Sequence, residues 1–247
     1  MKAIVLAGGS LEDPFAKRFG VATKALVPFR GRPQVEYALE ALASNGLETT
    51  FIGPEAELNP APKTCLPDQG SMIANLEAAL NAVGPAGGRE MVVVTSGDMP
   101  LITEKAVRFV IENAPRAALV YSIVRKEEIE KNFPGMRRTY ARLREGSFTG
   151  GNIILLDPWL FLPALPLAKK AIALRKNPLA LARLIGLDVL LGLLLGKVAL
   201  AGLEARVSKI LRIPARALVV PYPEVGIDMD SEEDLAWLQK RLPTKEP

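Results

Sequence analysis

The sequence predicts an α/β protein with an open, mostly parallel, doubly wound sheet and a helical insertion near its C-terminal part. Apolar runs rich in β-branched residues, such as Lys2–Ala7, alternate with stretches whose apolar residues recur at helical spacing, and this alternation is typical of βαβ units. The run Met91–Thr95 is continuously apolar, as expected for a strand buried on both sheet faces. A chain of 247 residues, 49% of them apolar, can bury a full core. We therefore expect residues 1–247 to form a single domain.

The predicted elements of the first half begin with the Lys2–Ala7 strand. A helix over Gln34–Asn45 ends at an Asn-Gly stop, and a strand follows over Glu48–Ile52. The stretch from there to Cys65 reads as a proline-rich loop, and a second helix is predicted over Ser71–Val83.

The second half opens on the Met91–Thr95 strand and continues with a helix capped by Thr103, which ends near Asn113. A strand is predicted over residues 117–124, whereas residues 125–145 are charged and irregular. The remaining predictions are a strand at 153–156, mostly helix over 157–211, a strand at 217–220, an extended piece at 226–230 and a final helix from Ser231.

The insertion, about residues 158–213, is rich in Leu and Ala. Its densest apolar run, Val189–Gly196, has only eight uncharged residues between Asp188 and Lys197, whereas a membrane-spanning helix needs about 20. We therefore expect no transmembrane span. Amphipathic helices that cover the sheet or form a lid are one interpretation. A surface that accepts an apolar substrate, or that makes peripheral contact with an anionic membrane, is the other.

The composition excludes several kinds of site. The chain has no histidine and a single cysteine, Cys65, which excludes a disulfide framework and histidine-based catalysis and argues against a Cys/His zinc site. Acid–base or metal chemistry must then use Asp, Glu, Lys, Arg, Ser, Thr or Tyr. The chain opens directly on a strand without a signal pattern, so we expect a cytoplasmic protein.

The charge is uneven along the chain. Residues 125–216 carry 17 Lys and Arg against 7 Asp and Glu, and the remainder carries 14 against 20. This basic segment indicates either an anionic partner or a solvated helical surface. Because no aromatic residues are interleaved with the basic ones and no nucleic-acid motif is present, we expect no nucleic-acid partner.

Paired glycines follow the first strand. Gly8 and Gly9 could bring backbone amides up to a phosphate, with charge supplied by Arg18 and Lys24, or could form only a tight turn. In an open parallel sheet, ligands bind outside the carboxyl ends of the strands. The first strand is therefore a candidate edge of a binding site.

Three aspartates follow later extended segments, namely Asp98, Asp228 and Asp230. Each could simply be a turn or helix-cap residue. Carboxylates brought together from separate strands repel each other unless a cation lies between them, and oxygen ligands beside phosphate suit Mg²⁺. The pattern therefore makes Mg²⁺ the predicted cofactor.

Four segments together resemble the nucleotidyltransferases of the molybdenum cofactor guanylyltransferase and sugar-phosphate nucleotidylyltransferase type. They occur in the family's order and cover about residues 1–157 and 217–240: VLAGGS…RFG…TKALVPFRGRP, VVVTSGDMPLIT, FTGGNIILLDP and GIDMDSEEDL. The resemblance implies transfer of a nucleoside monophosphate from a triphosphate to a phosphorylated small-molecule or lipid-related acceptor, with release of pyrophosphate. It leaves the base, the acceptor and a homodimer open. No motif covers the helical insertion.

The resemblance assigns roles on the nucleotide side. Lys24 matches the phosphate-binding lysine that stabilises charge in the transition state, and Arg18 matches the basic residue of the glycine loop. The glycines match those whose amides hold phosphates, and the segment at the second helix usually touches the base. The predicted nucleotide-binding residues are Leu6, Ala7, Gly8, Gly9, Lys24, Gly70, Ser71, Asn75 and Asp98.

On the metal and acceptor side, Asp98 matches the family's metal-binding aspartate. Asp230 best matches the second metal ligand, with Asp228 in reserve, and Gly151 and Asn152 match acceptor positions. With Lys24 and Arg18, Asp98 completes the predicted catalytic set.

Two departures from the family pattern bear on these roles. The gap between Gly9 and Arg18 is longer than usual and brings in acidic Glu12 and Asp13, and Glu232 replaces the closing proline. Two other functions compete with nucleotide transfer. A nucleotide-binding regulatory or accessory protein without turnover remains an alternative, whereas a dinucleotide-binding oxidoreductase would require G-x-G-x-x-G spacing that this chain lacks.

Overall fold

The structure is a computed structural model that describes residues 1–9, 12–84, 90–174 and 186–241. Ser10 of the glycine motif, and residues 175–185 of the predicted insertion, lie outside the described residues. The strands are β1 Lys2–Leu6, β2 Pro28–Phe29, β3 Arg32–Pro33, β4 Glu48–Gly53, β5 Thr64–Pro67, β6 Val92–Ser96, β7 Leu119–Arg125, β8 Ala141–Leu143, β9 Gly146–Leu156 and β10 Ala215–Val219. The helices are α1 Pro14–Arg18, α2 Val35–Ala43, α3 Met72–Val83, α4 Glu104–Glu112, α5 Lys126–Asn132, α6 Pro158–Leu174, α7 Leu187–Leu194, α8 Leu200–Leu211 and α9 Glu232–Arg241. Short 3₁₀ turns occupy Lys24–Leu26 and Pro223–Gly226.

Eight of these strands form one sheet, in the order β10-β7-β9-β6-β1-β4-β5, with β8 paired to β9. Strand β1 lies inside the sheet and runs parallel to β4 and β6, so that Leu6 lies opposite Ile52 and Ser96. Strand β9 runs antiparallel to β6 and β7. This open, mostly parallel sheet confirms the predicted fold class. Its one reversed strand inside the sheet, β9, forms a hairpin with β8, and Gly146 (φ 133°) follows the two turn residues Arg144 and Glu145.

Helices cover both faces of the sheet, as the doubly wound prediction requires. One core cluster packs helices α2, α4, α5 and α9 on one face, with Leu39, Val107 and Leu238 among its buried side chains. A second cluster packs α3, α6 and α8 on the other face, around Leu80 and Leu165. The alternation of side chains along β6 explains this division, since Val93 faces the first cluster and its neighbours Val92 and Val94 face the second.

Several local predictions differ from the structure. Strand β5 begins at Thr64, within the last two residues of the predicted proline-rich loop, and the segment predicted to be irregular contains α5 and β8. Strand β9 begins at Gly146, seven residues before the predicted start, because its glycine-rich first half lacks an apolar pattern yet pairs with β7. Residues 227–230 pair with no strand. They are anchored where the Met229 amide donates to the Asp98 carbonyl (2.9 Å).

The predicted helical insertion contains α6, α7 and α8 within its described residues. Helix α6 packs on the sheet through buried Phe161 and Leu165. Among the described residues, no helix is both long enough and apolar enough to cross a membrane.

Candidate functional site

A small cleft of about 40 Å³ lies where β1 and β6 end. Both strands run in the same direction, so the loops that leave them meet at one edge of the sheet. The cleft brings together most of the residues that the sequence assigned to phosphate and metal. Its lining is Leu6, Ala7, Gly8, Gly9, Asp13, Lys24, Ala25, Gly97 and Asp98.

The glycine loop is closely packed at Gly8. A Cβ at this position would lie 2.2 Å from Nδ2 of Asn75 and 2.7 Å from Cγ of Asp68. At Gly9 the nearest atoms to such a Cβ belong to Thr23, at an ordinary 3.9 Å. Gly8 is therefore required by the approach of two side chains from beyond β5, whereas Gly9 is not sterically required.

Asp68 holds this loop in place. Its carboxylate accepts hydrogen bonds from the Gly9 amide (2.9 Å), the Gly70 amide (2.8 Å) and Nδ2 of Asn75 (3.0 Å). Burial by itself would raise the pKa of Asp68, but these three hydrogen bonds outweigh it and hold the pKa below its usual value. The Gly9 amide, predicted to bind phosphate, thus donates to a carboxylate in this structure.

Gly70, Ser71 and Asn75 are the residues predicted to lie near the nucleotide base, and Gly70 and Asn75 belong to this hydrogen-bond network. Asn75 is 2% exposed, and its Oδ1 accepts from the Gln69 amide (2.6 Å). Gly70 adopts a φ of 79°, and the Ser71 hydroxyl caps α3 by accepting from the Ala74 amide (3.2 Å). Asn75 and Gly70 are thus linked through Asp68 to the glycine loop, and Ser71 caps the helix that carries Asn75. Their contact with a base stays a prediction.

Lys24, which lines the cleft, forms an ion pair with Asp230, although 206 residues separate them in the chain. Burial by itself would lower the pKa of Lys24, but the carboxylates of Asp230, Asp98 and Asp13 raise it above the usual lysine value. The lysine is therefore a fixed positive charge at neutral pH, placed among negative groups that a phosphate could replace.

Gln34 connects the two sides of this pair. It is fully buried, and its Nε2 donates to the carbonyls of Lys24 (2.6 Å) and Met229 (3.3 Å). Because Met229 precedes Asp230, one side chain positions the backbone on both sides of the ion pair. Sequence reasoning missed Gln34, which reads only as the start of a helix.

Asp98 is the most perturbed acid in the cleft. Burial, reinforced by the negative charges of Asp230 and Asp228, raises the pKa of Asp98 to about 6. Its Oδ1 is buried without a hydrogen-bond partner among the described residues. An unsatisfied carboxylate oxygen of this kind favours a cation that the side chain can bind.

Asp228 is engaged differently. Its carboxylate pairs with Arg138, and Nη2 of Arg138 also donates to its carbonyl (3.4 Å). Burial raises the pKa of Asp228 even though the guanidinium opposes the shift. Both predicted ligands are thus ion-paired, Asp228 with Arg138 and Asp230 with Lys24, and Asp230 is the more exposed of the two.

The donors present suit a cation that takes few protein ligands. Within the described ranges, no three or more Asp, Glu or Cys side chains are arranged to hold a metal by themselves. Mg²⁺ commonly takes one or two carboxylates and completes its shell with water and substrate phosphates. Asp98 and Asp230 fit that role, since both are oxygen donors at the cleft and Asp98 has an unpartnered oxygen.

Arg18 lies away from the bottom of the cleft. The inserted residues form α1, whose first amides, those of Phe15 and Ala16, donate to the Asp13 carboxylate (3.0 Å each). The Arg18 side chain, at the end of α1, is 65% exposed and pairs with Glu232 (2.8 Å). A capped helix thus accommodates the insertion and its acidic residues, and Arg18 is carried to the rim beside α9.

Gly151 and Asn152 lie in β9, on the other side of β6 from the glycine loop. A Cβ at Gly151 would lie 2.8 Å from Cγ1 of Val225 and 3.0 Å from the Ser122 carbonyl. Gly151 is thus required for packing. Asn152 lines a larger cavity on the face of the sheet that α6 and α8 cover.

Comparison with known protein families gives a match over residues 3–185 to the MobA-like NTP transferase domain. The chain belongs to this family. It is accordingly a nucleotidyltransferase, and the resemblance drawn from its sequence motifs is confirmed. Comparison with curated proteins gives no match.

Solved structures agree with the fold. A hypothetical transferase from Thermus thermophilus is 58% identical, over 95% of this chain and all of that one, with a TM-score of 0.89. A nucleotidyl transferase from Methanothermobacter thermautotrophicus is 17% identical over 97% and 95% of the two chains (TM-score 0.57). The 2-C-methyl-D-erythritol 4-phosphate cytidylyltransferase of Thermus thermophilus is 16% identical over 96% of each (TM-score 0.55). The last two support the fold alone.

Three supporting residues of this nucleotidyltransferase escaped the sequence analysis. Asp68 carries a local signal, because its carboxylate accepts from the amide two residues on, the pattern of an Asx turn. Gln34 and Arg138 carry none, since their partners lie 195 and 90 residues away. Only the packed chain identifies them.

Proposed function

We propose that the protein is a Mg²⁺-dependent nucleotidyltransferase that moves a nucleoside monophosphate from a triphosphate to a phosphorylated acceptor. The observation that carries this proposal is that Lys24 and Asp98 line one cleft with the glycine loop, and that Asp230 is ion-paired with Lys24 and acts on the charge of Asp98. A protein that only bound nucleotide would not need the second carboxylate.

The reaction follows from the charges. An oxygen of the acceptor phosphate attacks the α-phosphorus, the bond from that phosphorus to the bridging oxygen breaks, and pyrophosphate leaves with the electron pair. An acceptor phosphate is already ionised, so no general base is required, which suits a chain without histidine. Bound Mg²⁺ would neutralise the phosphate oxygens and draw the two anions together.

The residues of the chain supply positioning and fixed charge. Lys24 is held charged, and exchange of its partner Asp230 for a phosphate oxygen would place the ammonium against the charge that develops in the transition state. Asp98 and Asp230 would hold the cation. Gln34 donates to the carbonyls of Lys24 and Met229, and so it holds the backbone that carries the lysine next to the backbone that leads to Asp230.

The test is pyrophosphate release by the whole chain with ATP, CTP, GTP and UTP, each with Mg²⁺ and a panel of phosphorylated acceptors. We expect one triphosphate to support release and EDTA to abolish it. Asp98→Ala and Asp230→Ala should each remove the Mg²⁺-dependent rate, and Lys24→Met should lower it by on the order of 10²–10³.

Glu48→Gln is the matched control, because it removes a carboxylate at the opposite end of the sheet, where Glu48 pairs with Lys63. It should leave the rate unchanged. Tight binding of a triphosphate without any pyrophosphate release would favour the accessory protein instead. A wild-type rate in the Asp98→Ala and Asp230→Ala double variant would contradict the metal assignment.

A further inference from the structure

A large apolar cavity lies on the sheet face that α3, α6 and α8 cover. Its volume is about 600 Å³, within the range of about 300–1,000 Å³ typical of sites that enclose small molecules. Apolar side chains from the helices and from the sheet line it, among them Leu76 of α3, Ile154 of β9 and Ile172 of α6. The motifs of the sequence explain none of these side chains.

The cavity adjoins the cleft. Leu6 lines both spaces, and Ser96, which lines the cavity, is followed at once by Gly97 and Asp98 of the cleft. The β6–β9 register pairs Thr95 with Ile153, so the next residues, Ser96 and Asn152, are neighbours where β6 ends. The cavity therefore begins at the predicted acceptor residue and at the loop that carries Asp98.

The polarity of the cavity changes along its length. Ser96 and Asn152 lie at the end next to the cleft, where the Ser96 hydroxyl lies beside the Asp98 carboxylate. Away from this end, the walls are apolar. A polyhydroxylated sugar would lose its hydrogen bonds with water along those walls, whereas a hydrocarbon chain would lose nothing.

The walls also expose apolar surface. Met72 is 52% exposed, Tyr121 44% and Val207 38%, and all three line the cavity. Exposed apolar side chains that share one concave surface are typical of a ligand site, whereas scattered ones need no explanation.

A second space of about 430 Å³ continues the first and is lined mostly by apolar side chains, with Thr149, Glu204 and Arg216 as its polar members. Leu119, Tyr121 and Val207 line both spaces, and Leu203 and Phe148 extend the second between α8 and the sheet. The two together form an apolar path that leads away from the cleft and has room for a long chain.

We propose that these cavities bind the apolar chain of the acceptor, so that the acceptor is a phosphomonoester of a long-chain alcohol. The inference rests on the proposed function and names the substrate class of the same site. The phosphate lies at the Ser96–Asn152 end, within the reach of the cleft and of the Lys24 charge, and the chain follows Ile154 and Tyr121. Its phosphate oxygen attacks the α-phosphorus, pyrophosphate leaves, and the product is a long-chain nucleoside diphosphate.

The first experiment measures binding without nucleotide. Butyl, octyl and decyl phosphate are titrated into the whole chain by calorimetry, below the concentrations at which they form micelles. Full burial strengthens binding about fourfold for each methylene, so we expect octyl phosphate to bind at least tenfold more tightly than butyl phosphate. Decyl maltoside, which has the chain but no phosphate, should bind more weakly than decyl phosphate.

A matched pair of variants tests where the hydrocarbon chain binds. Ala171 lines the cavity, whereas Ala173 on the same helix is exposed and lies outside its lining. Ala171→Trp should abolish the gain from butyl to decyl phosphate, and Ala173→Trp should preserve it. Val207→Glu, at a half-exposed position of α8, provides a second block, with the exposed Ala205→Glu as its control, should the tryptophan variant fail to fold.

The second experiment measures turnover with the triphosphate that supports pyrophosphate release. The KM for decyl phosphate should lie at least tenfold below that for butyl phosphate, and Ala171→Trp should raise the former alone. Equal binding of butyl and decyl phosphate, or equal binding of decyl maltoside, overturns the inference, while release with a short acceptor would preserve the proposed function. Binding that strengthens with chain length, and that loses this dependence in Ala171→Trp, supports the inference. If such binding is found but no triphosphate supports pyrophosphate release, the proposed function alone is overturned.

Discussion

At the scale of single residues, the cleft depends on close contacts that leave no room for change. Gly8 lies against Asn75, which cannot move freely because both ends of its amide are hydrogen-bonded. The carboxylate of Asp68 joins Asn75 to the amides of Gly9 and Gly70. The glycine is thus needed for the side-chain network behind the loop, in addition to any phosphate in front of it.

Gly8→Ala is expected to destabilise the fold by about 1–3 kcal/mol, because the added methyl group displaces Asn75 and breaks its hydrogen bond to Asp68. Gly9→Ala is the matched control, since its Cβ would meet only an ordinary contact at 3.9 Å. Urea unfolding of both variants measures the difference. Equal unfolding free energies would show that the Asn75 contact does not constrain the loop.

The residue types of the loop are enough to predict its place in the site, but they do not identify the side chains that the loop contacts. Paired glycines after a strand are a local pattern, so Gly8 and Gly9 were visible. The distance of a Cβ at Gly8 from Asn75 depends on where α3 packs, which no local pattern states. The same holds for Gln34, whose hydrogen bonds to Lys24 and Met229 join segments far apart in the chain.

At the scale of elements, one polar side chain both caps the start of helix α4 and anchors it to a neighbouring segment. Thr103 caps α4, because its hydroxyl accepts from the Ala106 amide (3.2 Å). The same hydroxyl donates to Oε1 of Glu224 (2.8 Å), in the 3₁₀ turn that precedes residues 227–230. The predicted cap is confirmed, and it also ties α4 to the segment that carries Asp230.

Thr103→Ala should lower the free energy of unfolding by about 1–2 kcal/mol, because it removes the helix cap and the bond to Glu224 together. Thr103→Ser keeps the hydroxyl and should recover most of that loss. Thermal and urea unfolding provide the measurement. If serine fails to restore stability, the methyl group rather than the hydroxyl is what α4 requires.

Elements with a strong apolar period were predictable, and elements defined by pairing were not. Helices α2 and α4 follow from spacing and capping residues. Strand β5 and the first half of β9 carry little apolar pattern, and they are strands because β4 and β7 offer them partners. Strand formation at these places is decided by the neighbour more than by the segment itself.

At the scale of the whole molecule, the topology gathers negative charge at one edge of the sheet. Asp98 follows the central β6, and Asp228 and Asp230 arrive from the far end of the chain. Their mutual repulsion and burial raise the pKa of Asp98 to about 6, above the ordinary value of 3.8. The folded state therefore holds the Asp98 proton more tightly than the unfolded chain does.

This difference makes stability depend on pH. The metal-free protein should lose stability as the pH rises from about 4 to about 6, because the folded state must release a proton that it binds better than the unfolded chain. Asp98→Asn carries no such proton, so its stability relative to wild type should improve by about 1–3 kcal/mol between pH 4 and pH 7.

Urea unfolding in EDTA at both pH values provides this measurement, and Glu48→Gln, remote from the cleft, is the control for a lost carboxylate. A difference between wild type and Asp98→Asn that stays constant with pH would contradict the raised pKa. Mg²⁺ should also bind less well below pH 6, because the ion must then displace the proton.

The sequence by itself determined the alternation of strands and helices, the fold class, the family and the residue types of the cleft. These follow from local periodicity and from short motifs, which can be recognised without knowledge of the fold. Only the tertiary structure decided that Lys24 pairs with Asp230, that Asp68 and Gln34 support the loops, and that an apolar cavity opens beside Asn152. Each of these depends on the order of strands in the sheet, because that order brings together side chains that are as many as 206 residues apart.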